Sequence, residues 1–487
     1  MAQTIADMLR LHARYRPRQQ AIVWRDGAID YRTLDGIVDA LCLRLTAAGI
    51  GIGDLVGLSL ADDARHVAAL LAVIRLGAVI LPLDRRWSMA ERRGVAERFG
   101  AGSVLTDEED GPAGWVFLGA TLPPPSSSPY AAPVVAADAP MVLSLSSGTT
   151  GLPKGPRLSH RQLISRFMVY WIDIGLGARD RFVLATPLFF GGGRAFALAM
   201  IYAGGTICLL PPPFGSGELV DFVARMRGTA MFLVPTQLRR LLADHTESGL
   251  AFPDLRVLIS SGSALYQNEA ITVRKTLSPN LYQYYASTEA GGVSLLTPEG
   301  FEHHPGAVGR PCFGVDVEVV GADERPVAAD VVGRLRYRSP ASPDGYHVGD
   351  TTGAFDDGWF YPGDLARFDA DGFLYLQGRA KDMIIRGGVN IYPADIEQAL
   401  LDLPQVAEAA VTAMPSPEFG EEIAAFVVRA GDIDAAAITA ACAGRLARYK
   451  VPKVIVFVDS LPKNSAGKVL KADLAARFGP SPQEIVR

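Results

Sequence analysis

Apolar residues recur along the first third of the chain in two alternating patterns. Short unbroken runs such as Leu55 to Leu60 and Ala78 to Leu83 are interleaved with longer stretches, Tyr31 to Ala48 and Ala64 to Leu76, whose apolar positions fall three or four apart. The first pattern predicts buried strands and the second amphipathic helices; their alternation predicts βαβ units and mainly parallel sheets. The opening stretch to Gln20 mixes Asp, Arg and His through its apolar positions, which predicts an amphipathic helix and lacks the unbroken apolar core of a signal peptide. Ala195 to Leu210 is the most apolar later stretch. Gly204 and Gly205 break it and Pro211 to Pro213 follow it, so it reads as helix, turn and strand, not as a membrane span.

The Pro and Ser cluster from Pro123 to Pro133 is incompatible with regular structure and reads as a bridge between sub-domains. From Met141 the pattern restarts with a strand that runs into a glycine-rich turn and then a helix from about Ser159. Phe182 to Ala185, Ala230 to Val234 and Val257 to Ser260 are further buried-strand candidates. Between Val315 and Arg338 the period shifts toward two with β-branched residues, which predicts a small antiparallel portion. After Gly378 a compact α+β block is expected, with helices over Pro393 to Leu401 and Ala435 to Ala447 and strands over Ala407 to Ala413 and Ile423 to Val428. The expected fold is therefore α/β. A large N-terminal domain (1–380) of parallel and mixed sheets with helices precedes a small, mobile C-terminal α+β domain (381–487), and the two join near Arg379 to Asp382.

Composition narrows the functional classes. The 487 residues are 49% hydrophobic and 20% charged with a formal net charge of -5, which excludes a disordered chain and gives no basic footprint for nucleic acid or a membrane surface. Cys42, Cys208, Cys312 and Cys442 are far apart without paired spacing, so neither a disulfide framework nor a zinc site is expected, and a reducing, cytoplasmic compartment is. The neighbouring His303 and His304 lack a partner at ligand spacing and read as a solvated loop. A small organic substrate fits this profile best.

The chemistry is carried by short strings. Ser146 to Gly155 reads SSGTTGLPKG, between an apolar strand and a helix. Its glycines let the backbone approach an anion closely, and Ser146, Ser147, Thr149, Thr150 and Lys154 bring donors for phosphate oxygens. It is not a Walker A loop, because Lys154 is followed by Gly155 and not by Ser or Thr. Further along stand YASTE (Tyr285 to Glu289), YPGD (Tyr361 to Asp364), GRAKDMIIRGGVNIY (Gly378 to Tyr392) and PKNSAGK (Pro462 to Lys468).

In this order, and together with GDLVGLSL and RLGAVILPLD near the N-terminus, these strings resemble the adenylate-forming superfamily of acyl-CoA synthetases, peptide-synthetase adenylation domains and luciferases. The resemblance runs from Arg16 to the C-terminus. It implies ATP-dependent activation of a small carboxylic acid to an acyl-adenylate, followed by transfer to coenzyme A; a stand-alone enzyme that loads a carrier protein is the alternative. ATP, Mg²⁺ and coenzyme A are the implied cofactors.

Carried over by motif, the resemblance assigns Ser146, Ser147, Gly148, Thr149, Thr150, Gly151 and Lys154 to the loop that handles the β- and γ-phosphates. Tyr285 belongs to the nucleotide site, Thr288 would contact the α-phosphate, and Glu289 would bind Mg²⁺, a hard cation suited to a carboxylate. Asp364 would accept from the ribose hydroxyls, with Arg379 as its basic companion. Lys468 would bridge the carboxylate and α-phosphate oxygens, Lys381 would be the hinge, and Arg386, Gly387 and Gly388 would line a pantetheine tunnel. Phe189, Phe190, Gly191, Phe196, Tyr284, Gly262 and Gly291 are expected to bound the acid pocket, with open space at Gly191 to Gly193 and Gly291 to Gly292.

An aryl or medium-chain monocarboxylic acid is the expected substrate. Phe190 stands where many relatives have His, Ala286 where Gly is common and Pro362 where Thr is common. Tyr284 replaces the Arg of malonate-activating relatives, which disfavours a dicarboxylate. Arg194 is left either as a partner for a second carboxylate or as a structural arginine.

Overall fold

The computed structural model describes residues 4–145, 155–246, 248–348, 351, 353–463 and 469–477. Ser146, Ser147, Gly148, Thr149, Thr150, Gly151, Lys154 and Lys468 lie outside them.

Four sheets form among the described residues. The largest has nine strands in the order Arg310–Pro311, Gly291–Leu296, Leu281–Ser287, Val257–Ser260, Ala230–Leu233, Arg181–Leu184, Thr206–Leu209, Gln20–Trp24, Gly27–Asp30. Its six inner strands, Leu281–Ser287 through Gln20–Trp24, run parallel, and antiparallel strands flank them on both sides. A second sheet, parallel except at one edge, is ordered Trp115–Phe117, Ser103–Thr106, Leu55–Ser59, Val79–Pro82, Pro140–Leu143, Arg157–Ser159. The helices Tyr31–Ala47, Ala64–Arg75, His160–Ile172 and Gly191–Ala203 contribute buried residues to the largest core cluster, as do strands of both sheets. Parallel strands covered on both faces account for the continuous apolar runs in the sequence.

Element ends follow local chemistry. Asp63 caps Ala64–Arg75 by accepting from the Arg65 backbone, and Ser159 forms a capping box with Gln162 at the start of His160–Ile172. The stretch Ala195 to Leu210 resolves into the helix Gly191–Ala203, Gly204 in the left-handed region at φ 78°, and the strand Thr206–Leu209. The helix that begins at Ala435 ends at Ala443, short of the expected Ala447, because Gly444 stands at its C-cap. Pro123 to Pro133 contains neither helix nor strand. Among the described residues no helix is long and apolar enough to cross a membrane.

The antiparallel portion is larger than the sequence pattern indicates. Asp316–Val320 and Gly333–Arg338 pair as expected, and Phe355–Asp356, Trp359–Phe360, Asp364–Phe368 and Leu374–Arg379 extend them into a six-stranded sheet. A 3₁₀ turn at Ala380–Asp382 then leads into the last sheet, built on the long hairpin Val406–Ser416 and Gly420–Arg429. His304 departs from expectation: its ring stacks on Phe373 at 3.5 Å, and Nδ1 lies 3.0 Å from an Asp369 carboxylate oxygen, so only His303 is solvated.

Candidate active site

Four neighbouring parallel strands of the nine-stranded sheet end on one side of the molecule. The segment Thr186 to Phe190 follows Arg181–Leu184, Val234 follows Ala230–Leu233, Gly262 lies just beyond Val257–Ser260, and Thr288 with Glu289 follows Leu281–Ser287. The crevice outside the carboxyl ends of parallel strands is where open α/β sheets bind ligands. Topology therefore gathers motifs a hundred residues apart in sequence.

The Thr288–Glu289 segment hangs on a cation that the sequence motifs did not single out. Arg166 donates to the carbonyl of Thr288 at 3.0 Å, to that of Ala341 at 3.2 Å and to that of Glu289. Burial pulls its pKa down to about 10. Gly291, at φ 76°, packs against this side chain so closely that a Cβ would lie 2.8 Å from Arg166 Cγ. The Glu289 side chain is buried and accepts from the Tyr346 hydroxyl at 2.9 Å. Burial and the Glu289 charge raise the Tyr346 pKa.

Tyr285 donates to one Asp364 oxygen at 2.5 Å, and Arg379 Nε reaches the other at 2.9 Å. Arg379 also donates to the Pro362 carbonyl at 2.6 Å. Asp364 thus has both oxygens engaged before any nucleotide arrives; each carboxylate oxygen retains a second acceptor direction. Among the described residues, the only group of three or more acidic, His or Cys side chains close enough to hold one ion is His304, Asp369 and Asp371, and Glu289 belongs to no such group. That fits Mg²⁺, which takes one or two carboxylates and completes its shell with phosphates and water.

On the acid side, Phe189 and Phe190 are half-buried, and the Arg86 guanidinium lies 5.0 Å from the Phe189 ring. Phe196 is core and not an exposed wall: it stacks on Tyr170 at 4.3 Å and Phe182 at 5.0 Å, with Phe232 at 5.2 Å. Tyr284 is buried, edge-on to Tyr170.

The expectation of open space at the glycines holds only at Gly191, where a Cβ would meet nothing within 4 Å. At Gly192 a Cβ would lie 2.8 Å from the Phe232 ring, at Gly193 2.3 Å from the Pro187 carbonyl, and at Gly292 2.3 Å from the Tyr284 hydroxyl. These three glycines permit close packing and do not leave a void. Gly262 sits at φ 104°, a conformation that L side chains rarely adopt.

Arg194 is the structural arginine. Its side chain is buried and donates to the carbonyls of Leu188 at 3.2 Å and Phe189 at 2.8 Å. From the other side, Asp62 accepts from the Leu188 N–H at 2.7 Å. Burial pushes the Asp62 carboxyl up to about 6 and the neighbouring His66 down to about 4. A carboxyl whose folded-state pKa exceeds its unfolded value keeps its proton longer when folded. The Asp62 contribution to stability accordingly falls as pH rises from about 4 to about 6 and then levels off, while His66, held below its usual value, contributes in the opposite direction over the same range. Asp62→Asn keeps the acceptor and removes the titration, so the variant gains up to roughly 2–3 kcal/mol over the parent above pH 6 and none below pH 4, read by urea denaturation across pH.

Lys381 is exposed in the 3₁₀ turn. Arg386 pairs with Glu422 at 2.7 Å and lies over Phe419, while Gly387 and Gly388 form the exposed tip of the hairpin Ile384–Ile391. In this domain orientation, then, they do not line a channel.

Residues 9–347 match the family model described as AMP-binding enzyme, and residues 395–468 match the AMP-binding enzyme C-terminal domain. The chain is 31% identical to an indoleacetate–CoA ligase of Aromatoleum aromaticum, covering 96% of this chain and 97% of that one. It is 32% identical, with the same coverage, to a feruloyl-CoA synthase of an Amycolatopsis species. The fold superposes on the ATP-bound crystal structure of MatB from Rhodopseudomonas palustris with a TM-score of 0.88, at 28% identity and over 98% of this chain and 99% of that chain.

Proposed function

The chain belongs to the AMP-binding enzyme family, and from that premise we propose which residues serve each step and which class of acid they take. The enzyme is an AMP-forming acid–thiol ligase. A carboxylate oxygen of the acid attacks the α-phosphorus of ATP, and the bond to pyrophosphate breaks. The CoA thiol, giving up its proton, then attacks the acyl carbon; the thioester forms and AMP leaves.

Glu289 holds Mg²⁺, which when bound neutralises phosphate charge. Thr288 meets the α-phosphate, Asp364 accepts from the ribose, and the segment Ser146 to Lys154 handles the β- and γ-phosphates. Lys468 stabilises the charge that builds on the five-coordinate phosphorus. The observation that carries this reading is the Asp364 carboxylate, tied on one side to Tyr285 of the strand that leads to Glu289 and on the other to Arg379 at the domain junction. A ribose bound there links the phosphate segment to the hinge.

The acid is an aryl monocarboxylate. Aromatic rings at Phe190 and Phe232 flank Gly192, which supports a flat acid, and we place the end of the acid pocket where the Tyr284 hydroxyl packs against Gly292. Arg194 is committed to backbone carbonyls and offers nothing to a second carboxylate. Tyr284→Ala opens that end: kcat/KM for medium-chain acids rises by about 10-fold or more relative to the best aryl acid, read in competition assays.

The direct test is AMP release against a panel of acids, with CoA, with a carrier protein and with neither. CoA-dependent turnover on aryl acids is the expected result. Turnover with a carrier protein alone would replace CoA as acceptor, and no AMP with any aryl acid would overturn the acid assignment.

A further inference from the structure

The two domains meet along a short ridge that the half-reactions above leave unexplained. Tyr266, Gln267 and Asn268 open the helix Gln267–Thr276, four to six residues beyond Gly262, and face one side of the helix Pro393–Leu401. Tyr266 Oη donates to Glu397 Oε2 at 3.1 Å, the Gln267 N–H points to Gln398 Oε1 at 3.4 Å, and Asn268 Nδ2 donates to the Asp402 carboxylate. Glu397 is only 6% exposed. Its second oxygen accepts from the Val411 N–H at 2.8 Å and pairs with Lys471 Nζ at 2.6 Å. A buried carboxylate needs such donors on both oxygens, and here one of them comes from the opposite domain.

Lys471 stands three residues beyond Lys468, and on the other side of Lys468 in sequence Lys463 pairs with Glu408 at 2.6 Å. Both lysines are thus held within the C-terminal domain, Lys471 on the same carboxylate that Tyr266 reaches from the other domain. The hairpin tip at Gly387 and Gly388 is meanwhile exposed.

We propose that Tyr266 and Glu397 are positioning residues for adenylation: the Tyr266–Glu397–Lys471 chain latches the C-terminal domain in the orientation that serves the first half-reaction, and it must part before the thiol step. This rests on the two-step reading above. A latch that stabilises one of two orientations raises the population competent for one step at the expense of the other.

Tyr266→Phe is the clean variant, since it removes the interdomain donor and leaves Glu397 with Val411 and Lys471 inside its own domain. Adenylation, read as single-turnover pyrophosphate release, slows by about 10-fold in kcat, with KM for ATP and acid within about 2-fold of the parent. CoA thioester formation from supplied acyl-adenylate is unchanged or faster. Asn268→Ala, which removes a second contact on the same ridge, repeats the pattern. A variant that slows both steps alike, or neither, overturns the latch while the parent enzyme's two steps stand. A parent enzyme silent in both assays overturns the two-step reading and the latch with it.

Discussion

Lys468→Ala slows acyl-adenylate formation by about 10²–10³-fold, roughly 3–4 kcal/mol, the loss typical of removing one donor aimed at developing charge. Attack on the α-phosphorus gathers negative charge on oxygens that the ground state has already crowded with it. An ammonium held between the acid and the phosphate lowers that barrier and aligns the two reactants. Pyrophosphate exchange reads the step directly. Supplied acyl-adenylate bypasses it, so the same variant forms thioester at close to the parent rate. Near-normal exchange would sink the assignment, and equal loss in both assays would point to a folding defect.

Lys381→Pro produces the opposite pattern. Lys381 sits in the first turn of the 3₁₀ segment Ala380–Asp382, between the last strand of the antiparallel sheet and the first strand of the small domain. Proline is tolerated in a first helical turn but fixes φ near -65°, so the orientation described above survives while a rotation that needs a new φ there does not. Adenylation stays within a few-fold of the parent. Thioester formation falls by about 10²-fold or more, the cost of holding the thiol's approach out of register. Quenched-flow measurement of adenylate and thioester on one time course separates the two, and equal loss of both would refute a hinge at this residue.

Much of this architecture is legible before any coordinates, because local patterns set it. The strand Val257–Ser260 and the helix Pro393–Leu401 appear with the limits that their apolar period and their flanking Ser and Pro dictate. Distance in sequence is what hides the rest. Nothing in the opening hairpin Gln20–Asp30 announces that it completes a sheet with Thr206–Leu209.

The same limit applies to the site. Motif strings carry Tyr285, Asp364 and Arg379 to one place. Arg166 and Asp62 escape notice because their partners are backbone atoms of remote loops, which leave no signature in spacing. Residue type also fails to separate space from packing: Phe196 reads as pocket wall and is core, and Gly192, Gly193 and Gly292 read as voids and are contacts.

The parallel pairing of Ile22 and Val23 with Ile207 and Cys208 also has a consequence for biosynthesis. Tyr31 donates to the Gly205 carbonyl and His12 bonds the Tyr202 carbonyl, so the opening segment, though it pairs early with Gly27–Asp30, meets the partner of its other strand edge only some 185 residues later. At ribosomal speeds of roughly 5–20 residues per second, that nascent segment waits on the order of 10–40 s with an unpaired strand edge. The newborn chain, more than the finished enzyme, is where this protein is most exposed to aggregation and where a chaperone has most to protect.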